Sequence, residues 1–340
     1  MSNCQKRIFG YDLLKTIAIF LIVFYHLGGI DYGSIELGRF YLPNIYKFFS
    51  AFCATGVPLF FMVNGALVIH KKRHWKQLLL KAFHLLFLLV FWKFVLQYLI
   101  SNRLLDNKDN MVHFWFLGTL SIVYIVSIGI QINNHLRNFV LIFLFFFPFL
   151  YNFLWDVYLF VFPSFDSFKF THTGFYTLYA ILYYYLGDYL REHQISHYYS
   201  LGLIIVGLFL VNFEVVAKSN HFRYIYDGVN SSFPTFGAMA MSIGIFFLFK
   251  DQISRNGILQ KLILFVGRNT MGIYLFHVLF IILLRRFIPE LLLVSNPLAT
   301  LLISLIIILI TAFISNIFNN SKLAFLVNLS DKPSFHNFKS

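Results

Sequence analysis

Charge is what this chain has least of. Asp, Glu, Lys and Arg together make up 12% of its 340 residues, about half of what a soluble globular domain carries. Acidic side chains are the scarcest, 14 against 27 Lys and Arg. Cysteine is nearly absent: Cys4 and Cys53 supply neither a disulfide framework nor a thiolate metal site. No HExxH, Walker loop, GxGxxG or GxSxG occurs, which excludes metalloprotease, P-loop, dinucleotide and α/β-hydrolase chemistry in their usual sequence form. Also missing are an internal repeat, a low-complexity tract and a Pro-rich linker. The longest polar excursions are 31–51, 156–174, 218–232 and 320–340, none long enough to bury a sizeable core of its own.

What is present is apolar. Hydrophobic residues make up 59% of the chain, Phe alone 45 residues, and the mean hydropathy is +0.73. Runs near twenty residues recur, each long enough to cross a bilayer core of about 30 Å. The pattern predicts an all-α polytopic membrane protein of about ten transmembrane helices, at 12–30, 52–70, 78–100, 114–132, 137–155, 175–191, 200–217, 233–250, 262–284 and 297–319. Residues 1–320 form one integral-membrane domain and 321–340 a short tail. The first span lacks a small-x-small cleavage site and carries Asp12 and Lys15, so it is expected to be retained and not cleaved as a signal peptide. Ten spans put both termini on one side. With that side cytoplasmic, fifteen basic residues fall inside, nine outside and three within spans, the bias of the positive-inside rule. Arg285 and Arg286 run against it. Cys4 and Cys53 then lie on opposite sides. Basic residues scattered over helix ends do not build the continuous face that nucleic acid requires.

The costliest residues in such a chain are polar groups inside spans, each a functional candidate by default. Lys15 and His26 lie eleven residues apart in the first span. At 100° per residue they return to nearly one helix face, about 16 Å apart along the axis. His26-Leu-Gly-Gly-Ile-Asp31 adds a carboxylate that a Gly-Gly break could fold back to orient the imidazole. The basic run from His70 to Lys81 joins spans two and three. As a topology signal its charge is already explained. As an anion site, Arg73 and Lys76 share a face at a helix start, where the dipole favours phosphate, and Lys81 carries the cationic face onward. His70/His74 and His193/His197 have i,i+4 spacing, but the first pair sits among lysines and arginine that repel a cation; both read as interfacial histidines, and no metal is assigned. Asn64, Trp115, Glu214 and His277 are polar or interfacial groups that could line a cavity. Each has an ordinary alternative: a helix contact, an aromatic belt, a buried carboxylate, a core histidine.

Taken in chain order, these stretches resemble integral-membrane acyltransferase family 3, whose members O-acetylate cell-surface glycans and some other small acceptors. Lys15 through His26 is similar to the family's first-helix motif, an arginine, ten residues and a histidine. Gly56-Val-Pro-Leu-Phe-Phe-Met-Val-Asn-Gly65 resembles its GVxxFFxxSG stretch and Arg73-His-Trp-Lys76 its RxxR motif. Trp115-Phe-Leu117, Leu186-Gly187 and Ile273-Tyr274-Leu-Phe-His277 resemble its later signatures. Three positions depart: Lys15 and Lys76 stand where arginine is usual, and Asn64 where serine is. Lysine keeps the charge and loses the bidentate fork.

The resemblance implies a membrane O-acyltransferase, an O-acetyltransferase using acetyl-CoA as co-substrate, in the bacterial plasma membrane. Its partners would be the lipid bilayer, a surface polysaccharide or lipid-linked glycan acceptor, and a separate extracytoplasmic transferase if a second transfer step is needed. Lys15, Arg73, Lys76 and Lys81 would hold the CoA phosphates. His26, with Asp31, would act as general base or carry the acyl group transiently. Asn64, Trp115, Glu214, Tyr274 and His277 would line the cavity. The rival reading is a polysaccharide or lipid-intermediate exporter, since intramembrane charges also mark transport paths.

Overall fold

The computed structural model describes residues 8–27, 34–37, 40–43, 45–69, 75–101, 114–130, 134–162, 176–222, 235–253, 256–288 and 297–328. The described chain is helical apart from one small ribbon. Its helices are α1 (Phe9–His26), α2 (Ile45–Ser50), α3 (Gly56–Val68), α4 (Trp75–Ser101), α5 (Trp115–Ile130), α6 (Asn134–Leu144), α7 (Tyr151–Val161), α8 (Tyr176–Arg191), α9 (His197–Phe222), α10 (Phe236–Phe249), α11 (Ile258–Phe287) and α12 (Pro297–Asn319). A 3₁₀ turn at Ala51–Thr55 links α2 to α3. Among the described residues, six segments are long and apolar enough to cross a membrane by length and composition: Phe9–His26, Phe48–Val68, Trp75–Leu99, His197–Ala217, Ile258–Leu284 and Pro297–Asn319. Trp115–Gly129 and Phe236–Phe249 are shorter apolar helices. The protein is an all-α membrane protein.

Two features depart from the sequence expectation. Within the excursion 31–51, β1 (Ser34–Leu37) and β2 (Phe40–Pro43) pair antiparallel, with Ile35 opposite Leu42 and Leu37 opposite Phe40. The sequence signal was Gly38 between two short segments rich in β-branched, aromatic and aliphatic residues, hidden by the run's overall polarity. The expected span 137–155 is instead helix over 134–161, divided by a π segment at Phe145–Leu150. Pro148 lies in that segment and has no amide hydrogen to give, a common reason for a helix to change its hydrogen-bond register.

The helices are amphipathic in the reverse of the soluble sense. On α12 the buried face holds Thr300, Ser304, Thr311 and Ser315 beside Ile303, Ile307 and Ile308. The outer face is Leu302, Leu305, Ile306, Ile310 and Phe313. In water that outer face would drive aggregation; in lipid it needs no partner. Two of the inward hydroxyls donate within the helix, Ser304 to the Thr300 carbonyl at 2.7 Å and Thr311 to that of Ile307 at 2.6 Å. α4 turns a similar stripe outward, Leu80, Phe83, Phe87, Val90 and Phe94. α3 is buried on nearly every side and occupies the centre.

Close approach replaces the hydrophobic effect as the glue between helices in lipid. α3 meets α8 at two glycines: a Cβ at Gly65 would overlap the Tyr184 carbonyl, and one at Gly187 the Met62 carbonyl. Helix ends are tied by cations. Lys250, buried just past α10, donates to the carbonyls of Leu190 and Arg191 at 3.0 Å each and to that of His193. Arg191 donates to the Ala66 carbonyl at 3.3 Å. Both bring positive charge to carbonyls at or just past a helix C-terminus, where the dipole favours it.

Candidate active site

α1 carries the central pair. Asp12 and Lys15 lie in its first two turns and His26 in its last. Lys15 Nζ is 3.4 Å from Asp12 Oδ1, and Asp12 is only 2% exposed. An i,i+3 pair of opposite sign shares one helix face, so a cation that looked isolated in an apolar run has a carboxylate beside it. That level of α1 is pressed against α11. A Cβ at Gly267 would sit 2.8 Å from Asp12 Cβ, and the Thr16 hydroxyl lies 2.9 Å from the Asp12 carbonyl and 3.2 Å from that of Ile263.

Along the same two helices, His26 meets His277. Their ring centroids are 5.3 Å apart, with planes at 48°. His277 is fully buried, and its Nδ1 lies 2.7 Å from the Tyr274 carbonyl and 3.2 Å from that of Ile273. A carbonyl only accepts, so Nδ1 carries the proton in the neutral ring and Nε2 is the basic nitrogen. Aromatic rings wall the pair. Tyr25 stands 5.1 Å from His26, and Tyr274 5.8 Å from His277. Phe116, 5.2 Å from Tyr274 and 4.9 Å from Phe61, joins α5 and α3 to the wall. Trp115, half-buried at the start of α5, contacts Phe116 edge-on at 6.5 Å. The helices thus bring His26, Tyr274 and His277 together, with Trp115 one ring further out.

The other candidates have contacts of their own. Asn64 donates to the Phe60 carbonyl at 2.9 Å and accepts from the Tyr124 hydroxyl at 3.3 Å, which ties α3 to α5. Glu214, buried on α9, accepts from the Gly237 amide at 3.3 Å. With Thr235, which accepts from the Ala238 amide at 3.1 Å, it caps the start of α10. Lys76 is exposed beside the Trp75 ring, 5.5 Å from its centroid, and Lys81 is half-buried on α4. Arg73 and Asp31 lie outside the described residues. Sequence reading missed two members of this frame. Asp12 was legible from its spacing to Lys15. Phe116 had no signal among 45 phenylalanines.

A family model described as an acyltransferase domain, that of acyltransferase family 3, matches residues 8–316. The chain belongs to acyltransferase family 3. Comparison with curated proteins and with solved structures finds no match. The matched stretch begins at the foot of α1 and ends within α12, so it takes in the described helices up to the last turn of α12 and holds both histidines. Family membership supports membrane acyltransferase activity in general. It also weighs against an exporter, because the family's chemistry is acyl transfer.

Proposed function

We propose that this family 3 member is an O-acyltransferase that moves an acetyl group from cytoplasmic acetyl-CoA to a hydroxyl of a surface polysaccharide or lipid-linked glycan, with His26 as general base. The observation that carries the reading is His26 itself: a half-buried imidazole at the end of an apolar helix, walled by Tyr25 and the α11 residues Tyr274 and His277. An imidazole there gains nothing for packing over leucine. It does offer a nitrogen lone pair able to take a proton.

In this reading the chain crosses the bacterial plasma membrane ten times with both termini cytoplasmic. The Asp12–Lys15 end of α1 then faces the cytoplasm and the His26 end the outer half of the bilayer. Arg73, Lys76 and Lys81 supply charge for the donor's phosphates, and Lys15 adds a further cation from the first two turns of α1. The thin pantetheine arm runs along α1 toward His26. The reaction balances without a further reagent. His26 removes the proton of the acceptor hydroxyl as its oxygen bonds to the thioester carbonyl carbon. The carbon–sulfur bond breaks, and the departing thiolate takes the proton back from His26. An ester and a free thiol result, and the imidazole is neutral again.

The test of this reading is donor binding. Purified protein in detergent should bind CoA, and Arg73→Ala should weaken binding about tenfold through the loss of one phosphate contact. Protein that shows no CoA binding would leave a CoA-dependent transferase without its donor.

A further inference from the structure

We propose that His277 is a positioning residue that fixes which nitrogen of His26 is basic. The inference deepens the reading above and rests on it. Three observations lead there. His277 is fully buried, where an apolar side chain would avoid the cost of burying a polar ring. Its tautomer is set locally, because Nδ1 faces carbonyls of its own helix at 2.7 and 3.2 Å. Its ring stands 5.3 Å from that of His26, close enough for a turn of the half-buried His26 ring to bring one of its nitrogens within hydrogen-bond reach of Nε2.

The consequence follows from donor and acceptor rules. With Nδ1 protonated, His277 can only accept at Nε2. A His26 nitrogen that hydrogen-bonds to it directly must therefore carry the proton. The other His26 nitrogen is then the lone pair, available to the acceptor hydroxyl. When His26 takes that proton it becomes an imidazolium, and its N–H toward His277 becomes a stronger, charge-assisted donor. His277 neither gains nor loses a proton in the cycle. The role is that of the carboxylate in a hydrolase triad, filled here by a neutral imidazole. The helices give this pair a rigid mount. α1 and α11 are held at the Asp12–Gly267 approach and by Thr16, so the two rings sit on packed helices and not on a loop.

The experiment compares His277→Gln, His277→Leu, His26→Ala and the His26→Ala/His277→Leu double variant in proteoliposomes. Each is normalised to folded protein by acyl-CoA binding. His277→Leu should lower kcat about 10- to 1,000-fold and leave KM for the acyl donor within about twofold. His277→Gln should recover part of the loss, because its amide oxygen restores an acceptor where Nε2 stood. The double variant should be no slower than His26→Ala, since the two residues act as one unit. Full activity in His277→Leu, equal loss in the Gln and Leu variants, or losses that multiply would overturn the assignment and leave His26 untouched. Full activity in His26→Ala would overturn both readings. A measurement that needs no variant stands beside these: the ¹⁵N spectrum of histidine-labelled wild type should contain a neutral, Nδ1-protonated ring that disappears in His277→Gln. An Nε2-protonated ring at that position would contradict the proposal.

Discussion

Lys15 shows how a charge persists inside an apolar helix. Its side chain is 23% exposed and its carboxylate partner is one turn away, so the pair is desolvated together and neither member is left alone. Removing Asp12 takes a carboxylate neighbour away from a charge that is only partly exposed, and losing one partner costs more than the pair contributes. Asp12→Ala should therefore lower the stability of the detergent-solubilised protein by about 1–3 kcal/mol, read as a drop in thermal midpoint. An unchanged midpoint would mean that other contacts neutralise Lys15. Lys15→Arg restores the residue usual in the family and should keep activity within about twofold, since charge is retained and a donor fork is added. At this scale the chain was unevenly legible. Lys15, His26 and His277 stood out because polar groups are expensive in spans. Their spatial roles did not, because His26 and His277 are separated by 251 positions and only the α1–α11 packing joins them. Asn64 and Glu214 stood out for the same reason, and each makes a contact between helices.

The elements were the most legible level. A hydrophobic run of about twenty residues leaves the backbone one way to satisfy its polar groups in lipid, which is a helix. The expected 297–319 coincides with α12, while α11 extends beyond 262–284 at both ends. The ribbon and the π segment were less legible, because both depend on local hydrogen-bond geometry and not on hydropathy. Which helices touch was not legible at all, although the glycines mark some contacts in retrospect. Gly187→Leu would push a side chain into the Met62 backbone, and the α3–α8 contact should open. We expect that variant to lose most folded protein in detergent size-exclusion profiles. Gly202→Ala, with nothing within 4 Å of an added Cβ on α9, should fold as wild type or be slightly more stable, by at most about 1 kcal/mol. Equal behaviour of the two would contradict the close packing at Gly187.

At the scale of the whole molecule, the arrangement is a two-ended one. One end gathers Asp12, Lys15, Arg191 and Lys250 at helix termini, and the histidine pair lies further along α1 and α11. The proposed orientation puts the cationic end in the cytoplasm, as the positive-inside bias requires. Reporter fusions at residues 1 and 340 should both report the cytoplasm, and one at residue 110 the outside; opposite signals from the two termini would contradict an even number of crossings. The family assignment supplies acyl transfer as the chemistry, and His26 is the residue on which the proposed mechanism depends. The most direct test is single-turnover transfer of a labelled acetyl group from acetyl-CoA to a glycan acceptor in proteoliposomes, comparing wild type with His26→Ala at equal donor occupancy. Loss of a positioned general base predicts a rate lower by about 10²- to 10⁴-fold with donor binding retained. An unchanged rate in His26→Ala would contradict that role for His26.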